Sequence, residues 1–435
     1  MQFSEIVKQI LLKKIQEMAS CPESFVRNPG IDFTRTRKLD FATTIRCLIA
    51  MESGSLKKEL LELFRYHPDT ATASAFNQQR EKILPEALEF LFREFNNAFA
   101  DYQTYRGYRL LACDGTDLNI ARNPNHQENY FQSNPGEKGF NLLHLNALYD
   151  LGSRRYVDTV IQPGRKSNEC RAMADMIDRC ICGNKTIFIA DRNYESYNIF
   201  AHTQQRGMYY LVRIKDIGAR TSMTASFPLP QTEEFDTDVH LTLTRKQTKQ
   251  ARACSGTYKF LPNNCTFDYL KQNDFYSLTL RVVRFPITAD TYECVVTNLP
   301  RDTFAANDLK SLYAMRWGIE TSFRELKYAI GLTCFHAKKV EYIRQEIFAR
   351  LILYNFCEII TTHVVIKQKD TKHAYQVNYT LAIHICRHFL RFHTDLSPPG
   401  VEMLIQKNLL PVRPGRSDPR KVKYRSFVSF LYRVA

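Results

Sequence analysis

The chain has 435 residues and a mass of 50.7 kDa, which is enough for two or three domains with a large core. Hydrophobic residues make up 44% of it, and this excludes an intrinsically disordered chain. The 60 Lys and Arg residues against 45 Asp and Glu give a net charge of +15, which favours a polyanionic partner such as nucleic acid.

The expected compartment follows from the cysteines and the apolar segments. None of the twelve cysteines forms a C-x-x-C pair and most lie in apolar runs, which is typical of a reducing compartment. The first twenty residues read as a charged amphipathic helix and not as a secretory signal. The longest apolar region, 350–366, is interrupted by Asn355 and Glu358, so it predicts a buried helix. We therefore expect a soluble, cytoplasmic protein without a membrane span.

Residues 1 to about 100 predict helices, because 57–66 and 86–99 carry apolar residues at 3–4 spacing between Pro and Gly breaks. Between them, FTRTRKLDF at 33–41 places Arg35, Arg37 and Lys38 in one short segment. This segment is either an edge that contacts phosphates or an ordinary exposed loop, and the sequence favours neither.

From residue 106 the pattern changes to a mixture of strands and helices. Strands are predicted at 109–120, 141–150, 154–164, 185–194 and 208–215, with helices at 169–180 and 197–207. A polar, β-patterned stretch at about 218–300 resembles an insertion, because the helix that should close the α/β domain comes only at 308–330.

After residue 340 the chain is predicted to be helical again. It ends in a basic, proline-containing segment, 411–435, which is either a strap along a phosphate backbone or a solvated terminus.

Two aspartates stand out, one deep inside a strand pattern and one at the end of another, where an unpartnered carboxylate is costly to bury. Asp114 follows RLLAC and Asp191 follows IFIA. Asp191 could cap the helix that follows it, and Asp114 could accept a hydrogen bond within its own turn. A divalent cation is the third explanation for both.

The predicted helix YAMRWGIETSFRELK, 313–327, carries a polar stripe along the edge of its apolar face. The stripe consists of Tyr313, Arg316, Glu320, Arg324 and Lys327. Ion pairs at i,i+4 would make it an ordinary salt-bridged helix. Alternatively, Glu320 joins Asp114 and Asp191 as a third carboxylate, and the cations hold a polyanion. Three carboxylates on three elements suit two Mg²⁺ ions that catalyse phosphoryl transfer.

The spacing Tyr313-xx-Arg316-xxx-Glu320-xxxxxx-Lys327 resembles the Tyr-Arg-Glu-Lys signature of bacterial insertion-sequence DDE transposases of the insertion-sequence-four family. DGT at 114–116 and DRNY at 191–194 are similar to the family's two aspartate motifs, in the right order. The resemblance covers nearly the whole chain.

The resemblance implies an RNase H-like core that binds two Mg²⁺ or Mn²⁺ ions through Asp114, Asp191 and Glu320, cuts the transposon ends and joins them to target DNA. It assigns Tyr313, Arg316 and Lys327 to the transposon-end strand. Further DNA-binding residues that we predict from it are Arg324, Arg192, Tyr194 and, as the aromatic of the insertion, Tyr292. A homodimer on double-stranded DNA and a nucleoid-associated location are expected by the same analogy.

The predicted fold is an α/β RNase H-like core interrupted by a β-rich insertion, with helical terminal regions. The expected domains are a helical DNA-binding region at 1–105, the catalytic core at 106–217 and 301–345, the insertion at 218–300, and a helical region with a basic tail at 346–435. No G-x-G-x-x-G or G-x-x-x-x-G-K-[ST] motif is present, so we expect no nucleotide cofactor. Two alternatives remain: another RNase H-like nuclease, and a transposase-derived DNA-binding protein that has lost catalysis.

Overall fold

The structure is a computed structural model and describes most of the chain. The described residues are 2–35, 37–100, 102–217, 222–249, 253–254, 256–270, 275–288, 290–364, 374–391 and 400–412. The predicted basic strap lies outside them from residue 413 onward. Within the described ranges, no helix combines the length and the apolar character that a membrane crossing needs.

Helices form the amino-terminal region, as predicted. They are α1 (Phe3–Ser20), α2 (Phe41–Ala50), α3 (Leu56–Leu63), α4 (Ala73–Lys82) and α5 (Pro85–Asn97). Three of them begin at a side-chain cap: Asp40, Ser55 and Thr72 each accept a hydrogen bond from the third backbone N–H that follows. In the segment before α2, Leu39 is buried while Arg35, Arg37 and Lys38 are exposed, and Lys38 donates to the carbonyl of Asp69.

One large mixed sheet occupies the centre of the molecule. Its strands are β1 (Arg109–Ile120), β2 (Tyr130–Phe131), β3 (Phe140–Asp150), β4 (Arg155–Pro163), β5 (Thr186–Ala190), β6 (Tyr209–Ile214), β7 (Phe235–Thr244), β8 (Tyr258–Phe260), β9 (Phe275–Thr288) and β10 (Thr291–Thr297). The strand order is β2-β3-β1-β5-β6-β10-β9-β7-β8, and β4 also pairs with β3. β1, β3 and β4 form an antiparallel meander, whereas β5 and β6 run parallel to β1.

The β-rich stretch predicted as an insertion continues this sheet. β10 pairs antiparallel with β6, and β9 and β7 follow it outward. Backbone hydrogen bonds therefore run without interruption from the meander to β7 and β8.

Helices cover both faces of the part of the sheet that contains β1, β3 and β5. On one face lie α6 (Glu169–Asp178) and α7 (Tyr197–Gln205), and on the other lie α8 (Ala306–Ala314), α9 (Trp317–Glu325) and α10 (Val340–Thr362). Side chains alternate between the faces along each strand. In β5, Phe188 and Ala190 pack in the core on the α6 and α7 side, whereas Ile187 and Ile189 pack against α8.

The predicted single helix at 308–330 is wrong in one respect, because it is broken between α8 and α9. Met315 and Arg316 close the end of α8, and α9 starts at Trp317. A π-helical turn, Leu326–Ile330, then ends at Gly331, whose φ of 94° suits glycine. Met315, in this break, is 39% exposed.

The long helix α10 joins the terminal regions to the sheet. It packs against α1, α2, α5 and β4 as well as α11 (Tyr379–Arg391) and α12 (Val401–Lys407). A short ribbon, β11 (Tyr375–Gln376) with β12 (Leu410–Pro411), completes the described carboxyl-terminal part.

A buried ionic network fastens the amino-terminal helices to α10. Arg80 of α4, 2% exposed, donates through Nη1 to Glu346 Oε1 at 2.9 Å and through Nη2 to the carbonyl of Tyr342 at 2.9 Å. His336 lies between Glu346 and Glu59 of α3, with ring nitrogens 3.5 and 3.3 Å from their oxygens. The charges of this network compensate one another away from water.

Candidate active site

Asp114 and Asp191 are neighbours on adjacent parallel strands. Cys113 of β1 is in register with Ala190 of β5, so the next residue on each strand is an aspartate. Alternation places both side chains on the face covered by α8 and α9, because Ala112 and Ile189, two residues earlier, pack on that face. Both local roles considered from the sequence also occur: Asp114 Oδ1 accepts from Gly115 N at 2.9 Å, and Asp191 Oδ1 accepts from Asn193 N at 2.9 Å.

Glu320 reaches the same place from α9. Ile319 and Phe323 of this helix are buried against the sheet, which leaves Glu320 at the edge of the packed face with 30% of its side chain exposed. Arg316 Nη2 donates to Glu320 Oε1 at 2.7 Å, and Arg316 Nη1 lies 4.0 Å from Asp114 Oδ2. The i,i+4 ion pair therefore forms, and its guanidinium also faces a second carboxylate of the predicted site.

The other two carboxylates act electrostatically on Asp114. The pKa of Asp114 is raised to about 7: burial is the largest cause, the charges of Asp191 and Glu320 add to the rise, and the Gly115 amide and the Arg316 guanidinium oppose it. The negative charges of Asp191 and Glu320 thus add to the effect of burial, and a pKa perturbed in this way is typical of functional sites. A divalent cation beside the three carboxylates would compensate their charges.

The residues fit a hard divalent cation by their chemistry, because carboxylate oxygens are the donors that Mg²⁺ and Mn²⁺ prefer. In the described part of the chain, however, no three His, Cys, Asp or Glu side chains are gathered closely enough to hold an ion as they stand. The Glu320 carboxylate is turned toward Arg316, which is one reason why it is not closer to the two aspartates. The assignment of Asp114, Asp191 and Glu320 as metal ligands stays a prediction.

Tyr313 and Arg316 are more deeply buried than an exposed DNA-contacting stripe would be. Their exposures are 4% and 6%. Among the described residues, Tyr313 Oη and Arg316 Nε are buried without a well-formed hydrogen bond. The two side chains also act on each other, because burial raises the pKa of the Tyr313 hydroxyl and the Arg316 guanidinium opposes that rise.

Lys327 is the second residue of the π-helical turn, and its side chain reaches β1. Its Nζ donates to the carbonyl of Asp117 at 3.1 Å. Burial lowers the pKa of its ammonium group, and the charges of Asp117 and Asp114 offset part of that effect. Lys327 is therefore held within the electrostatic field of Asp114 and not displayed in free solvent.

The other predicted DNA-binding residues have different positions. Arg192 and Arg324 are exposed near the carboxylates, in the turn after β5 and on α9 respectively. Tyr194, in contrast, is fully buried among apolar side chains around Cys113 and Phe188, so its side chain has no surface to offer DNA in this structure. The tyrosine of the DRNY motif packs because the turn Arg192–Tyr194 folds it under the strand end.

Tyr292 lies at the start of β10 and is occupied by other contacts. Its ring faces the guanidinium of Arg284 at 4.1 Å, and a hydrogen bond with Glu233 raises the pKa of its hydroxyl. No contact described for Tyr292 joins it to Asp114, Asp191 or Glu320. Its role in DNA binding stays a prediction.

A charged cluster that the sequence did not predict lies behind Asp114, on the opposite face of β1. His144 of β3 has Nδ1 2.8 Å from Asp117 Oδ1 and Nε2 3.0 Å from Glu169 Oε1 at the start of α6. A Cβ atom on Gly115 would lie 2.5 Å from His144 Nε2 and 2.6 Å from Glu169 Oε1. A histidine within an apolar strand is not distinctive by itself. The one sequence signal for this cluster was Gly115, since a glycine inside a strand can mark a close approach of another group.

The charge of His144 predicts a pH dependence of stability. Burial alone would lower its pKa, but the bonds to Asp117 and Glu169 outweigh burial and raise the pKa to about 9. A raised histidine pKa stabilises the fold fully below the unfolded value of about 6.5 and loses this contribution as the pH rises through about 9. The urea midpoint of the wild type should therefore fall over that range more than that of His144→Asn. Parallel curves for the two proteins would contradict the assignment.

Comparison with known proteins connects this site with DNA transposition enzymes. The chain is 34% identical over 71 residues to the transposase for insertion sequence element IS421 of Escherichia coli, which covers 15% of this chain and 19% of that protein. The same figures hold for the InsL protein assigned to insertion sequence element IS186A of Escherichia coli strain K12. The chain thus matches about a fifth of the length of these curated relatives.

Among solved structures, the piggyBac transposase synaptic complex with hairpin DNA aligns with 95% of this chain and 87% of its own. The TM-score is 0.47 and the sequence identity is 10%, values too low to establish more than a general likeness.

A family model gives the broadest match. Residues 105–356, more than half of the chain, match the transposase DDE domain. The matched range includes β1, the end of β5 and the whole of α9, and thus every carboxylate of the candidate site. The chain belongs to the transposase DDE domain family.

Proposed function

We propose that this protein is a DNA transposase of the insertion-sequence-four type, which cleaves DNA at transposon ends and joins the freed ends to target DNA. One observation carries the proposal: Asp114, Asp191 and Glu320 come from three separate elements to one electrostatically coupled position, with Arg316 between two of them. Membership of the DDE family supports it, and so does the net charge of +15.

The proposal includes an RNase H-like catalytic core. The order β4-β3-β1-β5-β6, with an antiparallel meander followed by two parallel strands, supports this assignment. We assign 106–217 and 301–345 to the core, 218–300 to the β-rich insertion, 1–105 to DNA binding, and 346–435 to the helical region with the basic tail. The insertion extends the sheet of the core through the pairing of β10 with β6, so it packs next to the core and is not a separately tethered module.

Asp114, Asp191 and Glu320 would hold two Mg²⁺ or Mn²⁺ ions. When bound, such ions activate the attacking oxygen and stabilise the leaving oxygen in phosphoryl transfer. The protein contributes positioning: β1 and β5 fix the two aspartates side by side, and the packing of Ile319 and Phe323 fixes the helix that carries Glu320.

Arg316, Tyr313 and Lys327 would bind the phosphates of the transposon-end strand. Arg316 Nε and Tyr313 Oη are buried donors that make no well-formed hydrogen bond within the described residues, which supports this assignment. Exposed Arg192 and Arg324 would contact the same duplex near its backbone. Both transposon ends must be cut together, so we propose a homodimer on DNA.

The test is strand cleavage by the purified full-length protein on duplexes that carry the terminal inverted repeats flanking its gene. Reactions with Mg²⁺, Mn²⁺ or EDTA are compared with the same reactions of Asp114→Ala, and a supercoiled plasmid is added as target. Metal-dependent cuts at the repeat boundary and joined products, both absent in Asp114→Ala, are expected. Cutting without joining would indicate another nuclease, and tight binding without cutting in any metal would indicate an inactive DNA-binding protein.

Replacing Lys327 with alanine should weaken binding to the transposon end and reduce the salt dependence of the binding constant. Its ammonium group lies beside the carboxylates, so its loss should reduce the slope by about one counterion. The slope is obtained from fluorescence anisotropy titrations at several salt concentrations. Lys185→Ala, at the opposite end of β5, is the matched control and should leave the slope unchanged. An unaltered slope for Lys327→Ala would remove this residue from the DNA path.

A further inference from the structure

The cluster of Asp117, His144 and Glu169 occupies the face of β1 opposite to Asp114. Residues 113, 115 and 117 of β1 face the side of the sheet opposite to the Asp114 side chain. Cys113, for example, packs in the core beneath α6 and α7. His144 is 10% exposed and stands between two carboxylates at 2.8 and 3.0 Å. Three elements meet in this cluster: β1, the neighbouring strand β3 and the start of α6.

The backbone of β1 touches this cluster at the residue next to Asp114. Gly115 lies so close to the His144 ring and the Glu169 carboxylate that a Cβ atom would overlap both. Asp117 connects the cluster to the front face as well, because its carbonyl accepts from Lys327 Nζ at 3.1 Å. The cluster therefore contacts β1 at two residues, Gly115 and Asp117. These are the first and the third residues after Asp114.

We propose that His144, braced by Asp117 and Glu169, is a positioning residue of the catalytic centre, which sets the place of Asp114 and of Lys327 from behind the sheet. This inference rests on the proposed function, since it gives the cluster a role in holding a metal ligand. His144 does not touch the reacting atoms. It acts through Gly115 and through the carbonyl of Asp117, as groups behind a metal ligand do when they orient it.

The fold supplies a matched control for this proposal. His202 of α7 is also buried, at 5% side-chain exposure, and also stands between two carboxylates. Its Nδ1 is 2.7 Å from Asp178 Oδ1 and its Nε2 is 2.9 Å from Asp268 Oδ2. No described contact joins His202 to β1. Substitution of either histidine removes a buried imidazole from the same kind of ionic setting, but only one of them lies behind the predicted metal ligands.

The experiment measures Mn²⁺ binding to the full-length protein by isothermal titration calorimetry, next to Mn²⁺-dependent cleavage of the transposon-end duplex. His144→Asn is expected to weaken Mn²⁺ binding and raise the half-maximal Mn²⁺ concentration for cleavage by about 10- to 100-fold. His202→Asn is expected to match the wild type in both measurements. Asp191→Asn gives the background binding outside the site.

Each outcome decides a different question. Equal Mn²⁺ affinities of His144→Asn and His202→Asn, in a wild type that binds Mn²⁺ and cuts, would overturn the positioning role and leave the proposed function intact. A wild type that neither binds Mn²⁺ nor cuts would overturn both. If His144→Asn does not fold, Glu169→Gln takes its place, because the amide keeps the size of a half-exposed side chain while removing one brace.

Discussion

Replacing Glu320 with glutamine is expected to abolish strand cleavage while leaving DNA binding in place. Glutamine keeps the size of the side chain but removes the negative charge that a divalent cation requires. It also leaves Arg316, whose Nη2 donates to Glu320 at 2.7 Å, without the opposite charge of its partner, so the positive charge near the phosphates is less compensated. Cleavage of labelled transposon-end duplex and gel-shift binding, both in Mn²⁺, measure the two effects separately. The loss of rate should exceed about 1,000-fold, comparable to the removal of an essential catalytic group.

The control for this substitution is Glu325→Gln, on the same helix. Glu325 faces α10 and accepts a hydrogen bond from Tyr354 Oη at 3.1 Å. Burial raises the pKa of Glu325, and glutamine keeps the size of this side chain. Cleavage by Glu325→Gln should stay near the wild-type rate. If Glu320→Gln instead lost binding and cleavage in equal proportion, the ion pair with Arg316 would be structural and the catalytic assignment of Glu320 would be wrong.

Replacing Arg80 with leucine is expected to cause the largest loss of stability, about 3–5 kcal/mol of unfolding free energy. Burial alone would raise the pKa of Glu346, but His336, Arg80 and Arg350 outweigh burial and lower it, so this carboxylate is charged inside the core. Without the guanidinium, the protein must keep a less compensated charge there or protonate it. The urea midpoint at neutral pH, followed by circular dichroism, measures the loss.

Two further variants separate charge burial from simple loss of packing. Arg93→Leu on α5 removes an arginine that is 38% exposed and paired with Glu89 and Asp158, so it should cost no more than about 1 kcal/mol. Adding Glu346→Gln to Arg80→Leu removes the charge left behind and should restore part of the stability. A double variant that is less stable by the full sum of both single losses would show that the pair is not coupled.

The positions of the core strands were predictable because their sequences carry local signals. The three runs of β-forming residues correspond to β1, β3 and β4 within one or two residues, and the helices α6 and α7 begin where predicted. The placement of Asp114 within β1 and of Asp191 directly after β5 also follows from this local pattern. A short, largely apolar run is a strong signal here because a strand buried on both faces has little room for polar side chains.

The sequence did not predict the break before Trp317 or the burial of the polar stripe. A helical wheel treats 313–327 as one straight helix, and nothing in its residues, such as a proline, shows that α8 ends at Ala314. Tyr313 and Arg316 are buried because β5, β6 and β10 pack against this end of α8. The partners of His144 are equally absent from any local pattern, since Glu169 is far from it along the chain and only the closed sheet brings them together.

The position of Arg316 between Asp114 and Glu320 gives the site a built-in counter-ion. A divalent cation that takes up the negative charge of Glu320 leaves Arg316 without a partner and available to a phosphate. A phosphate that draws Arg316 away leaves Glu320 available to the cation. The two binding reactions are then cooperative, and the factor by which DNA increases the affinity for the metal equals the factor by which the metal increases the affinity for DNA. With the roles proposed above for Glu320 and Arg316, the catalytic ions would bind weakly until a transposon end is in place.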